Sequence, residues 1–475
     1  MARDDEPSEL VRGLGLWASI AVIVGAMVGQ AIFLVPSEVA RDVGSAVRVL
    51  AAWLIGGAIV LLTTFCFAEL GAALPRAGGE YVYLGRGLGP KWGFLFGWTG
   101  ALLVGPATSA TIAAGLLRLT SFLLPSVRAP IFALNIPDPF RGEPYHFVFT
   151  AARGWAAAAI AAVTVINYLG VRTAGRVQIL ITGLKVAGIV LIVALGLTLR
   201  NFGGAESSAS SAALAYGGAG TFVAALVPIM LAYDGFQALG QVGGEISDPR
   251  RTLPRAAIFG VLAVVVMYFL INLVYVRVLG VFAVASSQHV GPDAAARLAG
   301  PDGARWLTML MILSALGSLH VIFLVRPRVL YAMARDGRFF SFVGRVQPTF
   351  RTPSGALLLQ GGLAVVLVLT GTFEEIFSLV IFAVWIFVAL TAVALIGLRK
   401  KEPALSRPYR AWGYPWTPLI VVAAGVAMSV NQWLARPVRS SIGLALILLG
   451  IPIFHHWRKR AVDRPPTETG PSGGV

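Results

Sequence analysis

Cysteine occurs once in 475 residues, at Cys66. A single thiol excludes an internal disulfide and any cysteine-built metal site, and its place inside an apolar run marks it as a packed, inert side chain. Charge is scarce as well. Only 13% of residues are Asp, Glu, Lys or Arg, against about 25% in a soluble domain. Lysine is rarer still, five residues against 33 arginines. No HExxH, GxSxG or Walker A pattern is present, so no enzyme activity, metal site or cofactor is expected. Gly85-Arg86-Gly87-Leu88-Gly89 imitates a nucleotide loop, but no strand precedes it. The N-terminal MARDDEPSEL has neither a basic stretch nor a cleavage site, so no signal peptide is expected.

What the chain has is apolar length. Hydrophobic residues make up 57% of it, and the mean hydropathy is +0.79. Runs near 20 residues recur, each long enough for the roughly 30 Å hydrocarbon core of a bilayer. The fold class expected is therefore all-α and polytopic. A membrane barrel would show short alternating segments instead. Twelve spans are predicted, at 15–41, 48–74, 91–124, 151–170, 175–199, 214–245, 254–283, 305–335, 354–371, 374–398, 416–435 and 439–457. The Ser/Ala/Gly-rich stretch 201–213 reads as a flexible loop, 284–304 as a longer loop with short surface helices, and 461–475 as a disordered tail.

The net charge of +16 would suggest nucleic acid in a soluble chain. Here the basic residues sit in alternate loops, and no basic-aromatic patch occurs, so no nucleic-acid partner is expected. One set of loops holds Arg76, Arg86 and Lys91; Arg172 and Arg176; Arg250, Arg251 and Arg255; Arg335, Arg338, Arg345 and Arg351; and Arg399 to Lys401 with Arg407 and Arg410. The opposite loops hold Asp138, Glu143, Glu206, Asp293, Asp302, Glu374 and Glu375, with Arg41, Arg48, Arg436 and Arg439 as a minority against the trend. The positive-inside rule then puts both termini in the cytoplasm, with the lipid bilayer as partner.

Two spans do not read as continuous helices. VGAMVGQAIFLVP opens span 1 with Gly25 and Gly29 one turn apart, an amide at Gln30, and Pro36 ending the stretch. In span 6, Ala232-Tyr233-Asp234-Gly235-Phe236 interrupts an apolar run with an acid and a glycine. A broken helix in lipid must hide its freed N–H and C=O groups in protein or line a cavity. The breaks lie about 205 residues apart, and each opens a set of five spans of opposite orientation. That is the inverted-repeat pattern of secondary transporters, which bind substrate where the helices break. Helix N-termini suit a carboxylate and unwound carbonyls an ammonium, so the pair suits an amino acid zwitterion. The candidate substrate residues are Val28, Gly29, Gln30, Ala31 and Ile32, with Ala232, Tyr233, Asp234, Gly235 and Phe236. Close helix packing at the glycines is the plainer alternative for either break alone.

Longer stretches carry a resemblance. GAMVGQAIFLVP, AELGAALPRAGGEYVYLGRGLGP, NYLGVRTAGRVQ, GGEISDPRRTLPRA, SALGSLHVIFLVRPRVLYAMARDG and LRKKEPALSRPYR are similar to those of the amino acid–polyamine–organocation superfamily, nearest to its bacterial L-type-like amino acid exchangers. The resemblance implies the leucine-transporter-type 5+5 fold: a tail at 1–14, inverted repeats at 15–200 and 201–400, two further spans in 401–460, and the tail 461–475. It also implies a cell membrane, the inner one in a bacterium. Relatives commonly read Gly-Ser-Gly-Ile-Phe at the first break, where this chain reads Gly29-Gln30-Ala31-Ile32-Phe33. Gln30 either hydrogen-bonds substrate, fills the pocket or merely faces a polar cavity.

Lys185 lies nine residues into span 5 from Arg176, about 13 Å along a helix, too far for its stem to snorkel the whole way. Burying it costs about 2.5–3.5 kcal/mol, so a partner or function is expected. The resemblance implies that lysine here replaces the sodium ion of related transporters, tying span 5 to the carbonyls of the first break and to span 8 through Ser314 or Ser318. A purely structural tether is the alternative. Asp234 suits an ammonium, a proton or a cytoplasmic vestibule. Glu69 and Glu245 read as structural or gating groups, His320 as a hydrogen-bonded packing residue ahead of a proton sensor, and Arg118 as a snorkelling end residue. The function expected is sodium-independent transport of a small amino acid by alternating access, coupled to exchange or to protons. A polyamine or amine carrier, and a transport-inactive sensor or assembly partner, are the rivals.

Overall fold

The computed structural model describes residues 10–136, 145–198, 219–370 and 373–462. The helices are α1 (Leu16–Met27), α2 (Ala31–Val43), α3 (Ala46–Ala73), α4 (Glu80–Gly87), α5 (Pro90–Thr99), α6 (Gly105–Leu123), α7 (Ala151–Tyr168), α8 (Val171–Thr198), α9 (Ala219–Ala232), α10 (Ala238–Gln241), α11 (Pro249–Leu279), α12 (Val281–Ser286), α13 (Val290–Arg335), α14 (Ser354–Thr370), α15 (Phe373–Lys401), α16 (Trp416–Ala435) and α17 (Pro437–Val462). The chain is an all-α polytopic membrane protein. Among the described residues, seven helices are each long and apolar enough to cross a bilayer, and the bent pair α1–α2 makes up to an eighth. Each of the twelve predicted stretches contains helix.

Both expected interruptions are present. The axes of α1 and α2 differ by 45° across Val28–Gln30. Between α9 and α10 the chain turns through residues 233–237. Gly235 there has φ +115°, a backbone conformation costly for a side-chain-bearing residue. A Cβ on it would come within 2.8 Å of the Ala26 carbonyl carbon and 3.0 Å of the Met27 nitrogen. The second break is thus seated directly on the backbone of the first.

Several details differ from the sequence reading. Pro36 does not end the first stretch but lies inside α2. It is the sixth residue of that helix, so it removes a single early hydrogen bond. The loop before α7 carries an antiparallel pair, β1 (Pro130–Ile136) and β2 (Tyr145–Thr150); PIFALNI and YHFVFT are rich in the β-branched and aromatic residues that strands favour. The third span is not one regular helix, because a π-helical segment, Gly100–Val104, joins α5 to α6. Leu10–Leu14, the described part of the N-terminal tail, packs onto the bundle: Leu14 pairs with Ile246, and both Leu10 and Leu14 are buried. In the stretch expected to carry surface helices, α12 and the first turns of α13 pack against α2. Asp138, Glu143 and Glu206, the loop 201–213 and the tail beyond 462 lie outside the described residues.

Candidate functional site

The break in the first span begins where α1 runs out of partners for its last carbonyls. Lys185, on α8 and fully buried, supplies them. Its Nζ donates to the carbonyls of Gly25 at 3.0 Å and Val28 at 2.7 Å. From α13, Ser314 Oγ donates to Val28 O at 2.8 Å and Ser318 Oγ to Gly25 O at 3.2 Å. Three side chains from two helices therefore close on two carbonyls, and the ammonium sits where carbonyls and hydroxyls would ligate a small cation.

Two further contacts fix this arrangement. A Cβ on Gly25 would overlap the Gln178 amide and come within 3.0 Å of the Thr182 hydroxyl, so glycine lets α8 approach α1. Gln178 Nε2 and Thr182 Oγ1 then both donate to Ala21 O, at 3.2 and 3.1 Å. On the other side, Tyr268 of α11 places its hydroxyl 2.8 Å from Met27 O and 3.2 Å from Ala232 O. Those are the last residues of α1 and α9, so one phenol serves both broken ends. Its ring packs with Trp53 and Tyr233 at centroid distances of 5.6 and 4.9 Å.

In front of the breaks lies a cavity of about 800 Å³. Ala26, Gly29, Gln30 and Ala31 form one wall and Ala232, Asp234 and Gly235 another, with α6 and α13 completing it. The N–H groups of Ala31 and Ile32 open α2 and have no acceptor within that helix. The cavity extends past Glu38 and Asp42 to Arg436. At the opposite, basic end the bundle is shut. Arg328 and Glu245, both fully buried, form a two-armed ion pair at 2.6 and 3.0 Å. Arg86 pairs with Glu402 at 2.7 Å, Arg399 with Glu69 at 2.8 Å, and Tyr81 donates to Asp336 at 2.8 Å. Gly13 N and Leu14 N donate to the Glu245 carbonyl.

A family model described as amino acid permease matches residues 14–454. The chain belongs to the amino acid permease family. It is 28% identical over 469 residues to the serine/threonine exchanger SteT of Bacillus subtilis, covering 96% of this chain and 99% of that protein. It is 28% identical to the Asc-type amino acid transporter 1 of Mus musculus, covering 95% of this chain and 82% of the mouse protein. Identity reaches 30% over 413 residues with the b(0,+)-type amino acid transporter 1 of Oryctolagus cuniculus, covering 86% and 80%. The superfamily resemblance is correct, and the protein is a multi-pass permease rather than an enzyme.

In this permease the candidate residues divide in two. Gly29, Gln30, Ala31, Ala232, Asp234, Gly235 and Ser318 line the cavity. Val28, Ile32, Tyr233 and Phe236 are buried behind it: Tyr233 donates to Trp53 O at 3.3 Å, and Phe236 packs edge-on against Phe67. The Gln30 amide lies where a Cβ on Gly115 of α6 would be, reaching across the cavity wall. His320 is buried and bonded to Gln178 Oε1 at 3.0 Å. Glu69 also accepts from Ala411 N at 2.6 Å, beside its arginine.

Sequence reading missed Tyr268, Gln178 and Arg328. An arginine inside HVIFLVRPRVLY is a charge within an apolar run, the same signal that singled out Lys185. Tyr268 gave no such signal, since a tyrosine in a span is ordinary.

Proposed function

We propose that the protein carries small amino acids across a cell membrane by alternating access, independently of sodium. The observation that carries this reading is the Lys185 ammonium on Gly25 O and Val28 O, flanked by Ser314 and Ser318. A fixed cation there leaves no vacancy for a sodium ion and holds the first break in its bent form. The α2 N-terminus would take the substrate carboxylate and Asp234 its ammonium. Residues 15–200 and 201–400 form the two repeats in this reading, both termini are cytoplasmic, and the closed basic end is the inner gate. Exchange against an internal amino acid is favoured over proton coupling by the exchanger among its relatives.

The test is uptake of a panel of radiolabelled amino acids into proteoliposomes, with choline replacing sodium. Equal uptake in the two media, raised by internal unlabelled amino acid, is the expected result. A requirement for sodium, or no uptake of any amino acid, overturns the reading. Decarboxylated analogues that outcompete their parent amino acids would make it an amine carrier.

Gln30 tests the substrate end. Gln30→Gly removes the amide held against Gly115 and widens the cavity. Losing one hydrogen bond to a charged group costs about 1.5–3 kcal/mol, so affinity for the smallest substrates is expected to fall about tenfold or more. Competition against a fixed tracer measures it. Unchanged affinity means that Gln30 faces the cavity without touching substrate.

A further inference from the structure

Beneath the large cavity, towards the shut end, lies a second and much smaller one of about 20 Å³. That is room for about one water. Its lining includes Glu80, Thr99, Gly100, Gln237 and Arg326. Gln237, Arg326, Val104 and Val384 line the large cavity as well, so the two spaces share a wall. Gly100 and Val104 bound the π-helical segment, the kind of helical irregularity that recurs at functional sites.

Glu80 stands out in this chamber. It opens α4, in the connection between the second and third spans, and is 4% exposed. No arginine or lysine lies within ion-pair distance of it among the described residues. One oxygen accepts from Gln241 Nε2 at 3.2 Å. Around it protein donors are few: Gln237 Oε1 and Gln241 Oε1 are both buried without a donor from the protein. A carboxylate adds only acceptors to such a place, whereas a carboxylic acid adds a donor. The charged and titratable groups facing Glu80 are Arg326 from α13, Asp234 from the second break, and Tyr83 on its own helix. Val384, Phe387 and Val388 of α15 face it with apolar surface. Two carboxylates around one guanidinium reach neutrality when one of them holds a proton. Asp234 faces the open cavity and donor Gln237 Nε2, at 2.9 Å, so Glu80 is the one that holds it.

We propose that Glu80 is a proton-binding site at the floor of the substrate cavity, filled from that cavity while the basic end is shut and emptied when that end opens. Burial supports the proposal by pushing the Glu80 carboxyl up to about 7, against the opposing pull of Arg326. Opening the shut end would bring water to Glu80 and return it to the ordinary carboxylate range, releasing the proton. The sign follows: the site is loaded below about pH 7 and progressively empty above it. The proton then moves in the same direction as the substrate in that half-cycle, accompanying the exchange rather than driving it, which rests on the transport reading above.

Infrared difference spectra of the full-length protein in nanodiscs test the site without any substrate. A protonated-carboxyl band that disappears as pH rises through about 7 is expected in the wild type and absent in Glu80→Gln. Arg326→Gln should move the midpoint up by about one unit. A wild-type band in Glu80→Gln, or a midpoint indifferent to Arg326→Gln, overturns the proposal. Should Glu80→Gln not fold, Glu80→Asp keeps a carboxyl and must shift the same midpoint; an unshifted one also overturns it. Exchange of radiolabelled L-serine is the second readout. Its rate should fall as external pH rises through about 7, and Glu80→Gln should abolish that dependence; a Glu80→Gln protein with wild-type pH dependence overturns the proposal. A titrating band in a protein that moves no amino acid would sink the transport reading while leaving the proton site standing.

Discussion

Lys185→Ala is expected to lower initial transport rates about 100-fold while leaving the protein folded. Two hydrogen bonds from a charged donor are lost, at 3.0 and 2.7 Å. Such bonds contribute about 1.5–3 kcal/mol each, so the lower bound for the pair, about 3 kcal/mol, corresponds to a change of about a hundredfold or slightly more. Ser314 and Ser318 still reach Val28 and Gly25, so the break keeps hydroxyl donors and the bundle should survive. What disappears is the connection between α8 and the bent backbone. Lys185→Arg is not a conservative control, because a planar fork cannot reproduce a compact ammonium on two converging carbonyls. Proteoliposome uptake beside thermal unfolding of the purified variant separates the two effects. Wild-type rates in Lys185→Ala would reduce the lysine to a tether and favour a protein that kept the fold without coupled transport.

Glu245→Ala should be the most destabilising of the single substitutions at the shut end. It strands the Arg328 guanidinium, which is fully buried. Removing one partner of a buried ion pair costs about 3–5 kcal/mol, most of it the desolvation of the charge left behind. Thermal unfolding in detergent should register a large drop. Pairing it with Arg328→Met removes the stranded charge and should recover most of the loss, because well-packed apolar residues can replace a buried pair. If the single and the double variant unfold alike, the pair is not the lock that holds this end. The Glu245 carbonyl also anchors Gly13 and Leu14, so weakening this corner should loosen the N-terminal segment too.

Much of the design was legible in the chain itself, for a physical reason. Polar groups and helix breakers inside apolar runs are too costly to be incidental, so Gly25, Gln30, Asp234 and Lys185 announced themselves. Their partners were harder to read. Hydroxyls such as Ser314 and Ser318 bond within their own helices as often as across to another, and only the family resemblance pointed to them. Tyr268 carries no sequence mark, because its importance comes from where two other helices end. The division between cavity-lining and buried candidates was also beyond reach. Val28 and Tyr233 sit within two residues of Gln30 and Gly235, yet their side chains leave the backbone in the other direction. Strands β1 and β2 are short apolar segments beside long apolar spans, and periodicity over so few residues does not separate strand from helix.

The Tyr268 hydroxyl has one proton and two claimants, Met27 O and Ala232 O. It can serve both only while they stay close together. Parting the two broken helices would strand one carbonyl in a dry place, at about 1–3 kcal/mol. Turning them together past α8 and α13 keeps both served. The pair is in effect two blades on one rivet, and the rivet removes a degree of freedom: of all the ways two interrupted helices could move independently, the cheap ones are those in which they share an axis.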